Sequence, residues 1–247
     1  MKFYSFILAV FVLCSSIDGQ TILDTSNILP KKILSVDYIN FGASFPISSF
    51  SKRIKTDENS GFATVGVKLD AAINYQLYRN LGIKAMFIFQ NHQIDDYKYK
   101  KDLYTEAPLN SYTISSKGWN NFSALFGAYA NFKLDDNMYF QPKILLGFNY
   151  GTSPIINLTV ADTSKKTFIV EQQSGQAISF SYVVGFDFKL NLVKNYYMLF
   201  GFDSYNADMY FEGVKVKNLN NGTESEFKFK QPIQTLSLKV GVGRTFK

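Results

Sequence analysis

The sequence predicts an all-β fold: an eight-stranded, antiparallel, up-and-down transmembrane β-barrel. Three observations carry that expectation. First, the chain alternates almost without error from 176 to 191. Ile178, Phe180, Tyr182, Val184, Phe186, Phe188 and Leu190 share one face. Ser179, Ser181, Gly185, Asp187, Lys189 and Asn191 share the other, with Val183 the one bulky apolar residue among them. A strand has period two, so the segment has one apolar face and one small or polar face. Second, similar segments recur, joined by short turns and long loops in alternation. A barrel with both termini on one side of a membrane demands that asymmetry. Third, aromatic residues are abundant, with 24 Phe and 16 Tyr, as interfacial girdles require. No stretch beyond the N-terminus holds the roughly 18 continuous apolar residues of a membrane helix.

The strands follow in order. The first, 32–45, starts with Leu34, Val36 and Tyr38 on one face and continues with Ile39, Phe41, Ala43 and Phe45 on the other, so a bulge is expected near Tyr38. The second, 60–78, sets Ala63, Val65, Val67, Leu69, Ala71, Ile73, Tyr75 and Leu77 against a polar face that includes Lys68 and Asp70. The third, 81–92, turns Leu81, Ile83, Ala85, Phe87 and Phe89 outward. The fourth, 118–134, carries Phe122, Ala124, Phe126 and Ala128, and Asp135-Asp136-Asn137 turns the chain. The fifth, 138–151, loses one ladder bond at Pro142. The sixth is the segment from 176. The seventh, 196–217, begins with Tyr196, Met198, Phe200 and Phe202 outward. Its parity then changes to Tyr205, Ala207 and Met209, which predicts a bulge or an exit from the membrane. Asn220-Asn221-Gly222 is a hairpin signal, and the eighth strand is 225–246. The long connections, 46–59, 93–117, 152–175 and 212–230, would lie outside the cell. The last two alternate and are expected to continue as hairpins above the membrane.

Residues 1–19 read as a secretory signal. Lys2 is the basic region, and Phe6 to Leu13 form an apolar core too short to span a bilayer. Residues 20–31 would be a periplasmic segment and 32–247 the barrel. Cys14 is the single cysteine, so a processed chain has no thiol chemistry. Processing removes one basic and one acidic residue and leaves the net charge at +6. Without a lysine or arginine block, nucleic acid is not an expected partner.

Leu238, Val240, Val242 and Phe246 resemble the C-terminal assembly signal of outer-membrane barrels, an aromatic preceded by outward apolar residues at every second position. Arg244 occupies one of the apolar slots and Lys247 follows the Phe. An Arg at the inner interface costs only about 0–1 kcal/mol. The run Ala128-Tyr129 … Asp136-Asn137-Met138-Tyr139-Phe140-Gln141-Pro142 … Gly147-Phe148-Asn149-Tyr150-Gly151 resembles the small barrel-domain outer-membrane proteins of Bacteroidota-type bacteria, the OmpA-type and PorT-like eight-stranded barrels. The resemblance implies a Gram-negative outer-membrane location and a role within a secretion or envelope assembly. It also implies outer-membrane lipid, the barrel assembly machinery and periplasmic chaperones as partners.

An eight-stranded interior is just wide enough for side chains to fill. The expected inward charges are Lys68, Asp70, Lys84, Lys133, Lys143, Asp187, Lys189, Asp203 and Lys239. Charges excluded from lipid must pair or reach water, so these read as a plug of ion pairs. The alternative is a narrow pore that favours anions, since lysine predominates. His92 is the only histidine and sits near Asp95 and Asp96 at the outer end of the third strand. It reads as an interface residue and not a catalytic one. One histidine makes a zinc site unexpected, and no cofactor is implied. Tyr97, Tyr99 and Tyr104 in the second long loop are candidates for protein contact through the outer loops. The sequence reads as a monomeric, non-enzymatic module. A soluble lipocalin-type binder of apolar ligands is the alternative class, and it requires the apolar face to point inward.

Overall fold

Backbone pairing is the organising feature of the computed structural model. It describes residues 34–52, 60–78, 80–106, 111–161, 166–193 and 195–245. The signal (1–19), the segment 20–31 and Phe246 lie outside these. Eight strands pair in chain order: β1 (Leu34–Pro46), β2 (Gly66–Gln76), β3 (Leu81–His92), β5 (Trp119–Ala130), β7 (Met138–Thr152), β10 (Gln176–Val193), β11 (Tyr196–Asn218) and β12 (Glu224–Arg244). β12 then pairs back with β1, from Tyr38 opposite Gly243 to Pro46 opposite Thr235, which closes the circuit. Every pair is antiparallel. The expected bulge is present, between Val36 and Tyr38.

The described residues contain twelve strands, not eight. The predicted fourth strand divides at Asn131, whose N–H bonds the carbonyl of Asn80 at 2.7 Å. The remainder, β6 (Phe132–Asp135), pairs only with β7. The other three, β4 (Ser111–Ser116), β8 (Ile156–Ala161) and β9 (Thr167–Gln172), extend the sheet sideways from the outer end of β11, where Val216, Lys217 and Asn218 pair with β9. The long connection 93–117 is therefore not a loop. It holds α2 (Asp96–Glu106) and β4. The β8–β9 hairpin and the outer continuation of β11 and β12 match the expected hairpins, and Gly222 takes the positive φ of 72° that its turn requires.

Two further departures reshape the interior. The second strand begins at Gly66, because residues 61–64 fold over the outer end of the ring. Phe62 takes a φ of 49°, and Ala63 is buried where it bridges to Ile94. A short helix, α1 (Ser48–Ser51), belongs to the same cover and buries Phe50 completely. In β11, Tyr205, Ala207 and Met209 neither bulge nor leave the ring. They continue the inward face set by Tyr197, Leu199 and Asp203, and all three are buried. The irregularity comes later, between Phe211 and Val214, where Gly213 has a φ of 67°.

The two faces of the ring differ in kind. All eight strands expose large apolar residues outward, among them Ile39 (64 %), Phe148 (66 %), Ile178 (73 %) and Val242 (63 %). Adjacent strands continue the patch in register. Phe41 lies opposite both Leu69 and Val240, and Val240 lies opposite Phe200. Inside are the lysines, aspartates, amides and hydroxyls, interleaved with buried apolar side chains such as Met86, Leu125, Leu145, Val183 and Leu199, and an aromatic cluster lies at the outer end.

Candidate functional site

The interior charge cluster is built by strand parity. Lys68 and Asp70 of β2, Lys84 of β3, Lys143 of β7, Asp187 of β10, Asp203 of β11 and Lys239 of β12 all point inward with side chains at 0 % exposure. Six strands distant in sequence thus supply one network. Lys68 pairs with Asp203 at 2.6 Å, Lys143 with Asp187 at 2.6 Å and with Asp203 at 2.8 Å, and Lys84 with Asp187 at 3.3 Å. Lys239 is central, 2.9 Å from Asp203, 3.2 Å from Asp187 and 3.7 Å from Asp70. Tyr38 adds its hydroxyl, which accepts from Lys84 at 3.1 Å and donates to Asp187 at 3.4 Å.

Glycine makes room for the carboxylates. Asp187 lies across the ladder from Gly201, and Asp203 lies across from Gly185. A Cβ at Gly201 would collide with the Asp187 carboxylate and come within 2.5 Å of Lys239 Cε. A Cβ at Gly185 would collide with the Asp203 carboxylate. Each bulky acid therefore faces a residue without a side chain, which lets the carboxylates reach lysines on neighbouring strands.

At the edge of this cluster Asn40 Nδ2 donates to Asp70 at 2.9 Å. Beyond it neutral polar groups pair, Ser123 Oγ donating to Asn149 Oδ1 at 2.9 Å and Gln90 Nε2 to Thr235 Oγ1 at 3.2 Å. Tyr205 meets the Ser123 hydroxyl at 3.0 Å. At the outer end Phe50 lies edge-on to His92 and Trp119, with ring centroids 5.1 and 5.8 Å away. Phe211 and Phe229 stack beside Trp119 at 5.1 Å. The Trp119 indole donates to the Gly61 carbonyl at 2.9 Å, which ties the cover to the ring.

The structure thus brings together seven of the nine charges expected to point inward. The other two behave differently. Lys133 points to solvent and pairs with Asp136 at 2.7 Å. Their hydrogen bond holds the Asp136 carboxyl below the ordinary carboxylate range and the lysine above its own. Lys189 is on the inward face, with its ammonium 3.8 Å from the Tyr197 ring. His92 is buried, and its Nδ1 donates to the Thr64 carbonyl at 2.9 Å. Asp95 accepts from the Lys98 backbone at 3.0 Å and Asp96 binds Ser116, so each acid holds local structure. Tyr97 is exposed, whereas Tyr99 packs edge-on against Phe62 at 5.0 Å. The Tyr104 side chain lies outside what the structure describes. Leu238, Val240 and Val242 of the C-terminal pattern are exposed on the outer face of β12.

The sequence reading missed the outer aromatic cluster. The one signal for it was the apolar inward run Tyr205, Ala207 and Met209, which marks where the lumen stops being polar. Phe50 carries no such signal, because Ser48-Ser49-Phe50-Ser51 has no periodicity.

No protein-family model matches the chain, and no curated protein does. Among solved structures the chain is similar to a major outer membrane protein of Thermus thermophilus, at 12% identity and a TM-score of 0.46 over 85% of this chain and 99% of that one. It is similar to Ail, the attachment invasion locus protein of Yersinia pestis, at 11% identity and a TM-score of 0.41 over 87% and 99%. It is also similar to Neisserial surface protein A, at 14% identity and a TM-score of 0.37 over 86% and 99%.

Proposed function

We propose that this protein is a non-enzymatic, monomeric outer-membrane barrel. Its ring of eight strands would span the lipid, its lumen would be plugged, and its outer sheet would serve as an interaction surface within a secretion or envelope assembly. The observation that carries the reading is the outward apolar belt, to which all eight ring strands contribute. Soluble monomers rarely expose contiguous apolar patches beyond a few hundred Å², whereas a lipid-facing barrel requires a continuous one. The lipocalin-type alternative needs the reverse arrangement, and the inward face here carries the buried lysines and aspartates instead. In this reading outer-membrane lipid and the barrel assembly machinery are the partners, and the β12 pattern is the signal that machinery reads.

The choice of scaffold over pore rests on the same lumen. Lys68, Lys84, Lys143 and Lys239 outnumber Asp70, Asp187 and Asp203, so a conducting form would favour anions. Yet every one of these side chains is buried and within ion-pair distance of an opposite charge. Reconstitution in planar lipid bilayers tests this directly. The expected record shows no unitary conductance steps. Steps with anion selectivity would replace the scaffold reading with the pore.

A further inference from the structure

A second feature of the outer end is not explained by a plugged scaffold. Between the cover, the β8–β9 hairpin and the outward-reaching end of β12 lies a cavity of about 510 Å³. Its aromatic wall includes Phe62, Tyr99, Trp119, Phe227 and Phe229. Phe229 already stacks with Phe211 at 5.1 Å and with Phe227 at 5.7 Å, so it holds Phe227 in place, and Phe227 is the ring whose surface stays exposed. The polar part of the wall includes Ser60 and Gln172. Ser60 Oγ is buried and has no hydrogen-bond partner among the described residues. The Gln172 amide uses one donor on the Pro154 carbonyl, at 3.5 Å. An amide has a second donor and an acceptor besides, so Gln172 can serve a ligand while it keeps that bond.

Charge narrows the ligand class. Among the described residues no carboxylate lines the cavity. Lys228 and Lys230 border it, but strand parity puts both on the face opposite Phe227 and Phe229. The Lys230 ammonium binds Asp208 at 2.8 Å and lies 5.2 Å from the outward Tyr210 ring. The cavity is therefore neutral, with flat apolar surfaces and a few amide and hydroxyl groups. A purely apolar guest would leave Ser60 Oγ buried and unpaired, at a cost. A ring with apolar faces and hydroxyl edges satisfies both parts of the wall, and the volume falls in the range of small-molecule sites.

We propose that the cavity at the outer end of the barrel is a binding site for an uncharged sugar ring, stacked on Phe227 and hydrogen-bonded by Ser60 and Gln172. The inference goes beyond the scaffold reading but rests on the membrane barrel, and the gel-mobility shift on boiling reports a failure of that reading separately from a failure of sugar binding.

Trp119 is the only tryptophan of the chain and lines the cavity, so its emission reports on the site. The full chain is folded into phosphatidylcholine vesicles, because sugar-headed detergents would compete. It is titrated with methyl β-D-glucoside, methyl β-D-galactoside, N-acetylglucosamine and cellobiose. Sorbitol, with hydroxyls but no ring, is the control, and indole represents a purely apolar guest. Ligands of about a dozen heavy atoms bind in the millimolar range. At least one ring sugar is expected to give a saturable change in Trp119 emission, with sorbitol giving none. Phe227→Ala and Gln172→Ala are each expected to weaken it by roughly tenfold. Gln172 is on β9, and Phe227 is on the stretch of β12 beyond its pairing with β1, so a preserved shift in gel mobility on boiling verifies that these variants are folded. Indole saturating the signal while every sugar fails would overturn the proposal. So would linear, unsaturable responses to the whole panel, or sugar binding that both variants leave unchanged.

Discussion

At the residue scale the main determinant is charge burial. A buried ion pair gains little over an apolar pair of the same shape, but removing one partner leaves an uncompensated charge. Asp187 is within ion-pair distance of Lys84, Lys143 and Lys239. Asp187→Ala should therefore destabilise the folded protein by about 3–5 kcal/mol in urea unfolding from lipid vesicles. The double variant Asp187→Ala/Lys143→Ala should lose clearly less than the sum of the two single changes, because the second truncation removes a charge the first orphaned. Additive losses would show that the two side chains do not share a network. Gly201→Ala should also destabilise, by about 1–3 kcal/mol, since its Cβ meets the Asp187 carboxylate. These charges were legible in the sequence because parity is strict on a strand. Their partners were not, since the ion pairs join strands far apart in the chain, and register around a closed ring is not a local property.

At the scale of elements, the ring and its outer additions obey different rules. Ring strands alternate because one face lines the lumen and the other carries the exposed apolar belt. β1, β3, β7 and β10 could be read almost to the residue for that reason. β4, β8 and β9 lie beyond the ring, and β4 follows a helix, α2, whose mixed Tyr and Lys composition resembles an exposed loop. The distinction can be tested with one substitution on each side. Val240→Lys on β12 enters the apolar belt beside Phe41 and Phe200, and should cost about 2–4 kcal/mol in bilayers. Ile169→Lys on β9 adds the same charge to the outer sheet and should change stability by no more than about 0.5 kcal/mol. Equal costs would place the outer sheet and the belt in the same surroundings. The cover is a third element with its own test. Phe50→Ala should open the cluster around Trp119 and shift its emission to longer wavelength, without loss of the ring. An unchanged spectrum would mean that Phe50 does not hold the cover down.

At the scale of the whole molecule, eight strands form a closed circuit with an apolar outer face and a charge cluster inside. Composition alone would have hidden this, since outward Phe and Ile are balanced by inward Lys, Asp and Gly in every window. Period two recovered it, because the alternation persists through all eight ring strands and changes only where β1 and β11 bulge and where the lumen becomes aromatic. The outer cavity was not legible, since its walls come from a cover, a helix and two hairpins that no local pattern links. The most direct test of the central claim is the gel mobility of the protein from the outer-membrane fraction, unheated against boiled. The expected result is a membrane-located band that migrates differently before and after boiling, as a closed barrel that resists detergent does. A protein recovered in the soluble fraction with no shift would contradict it.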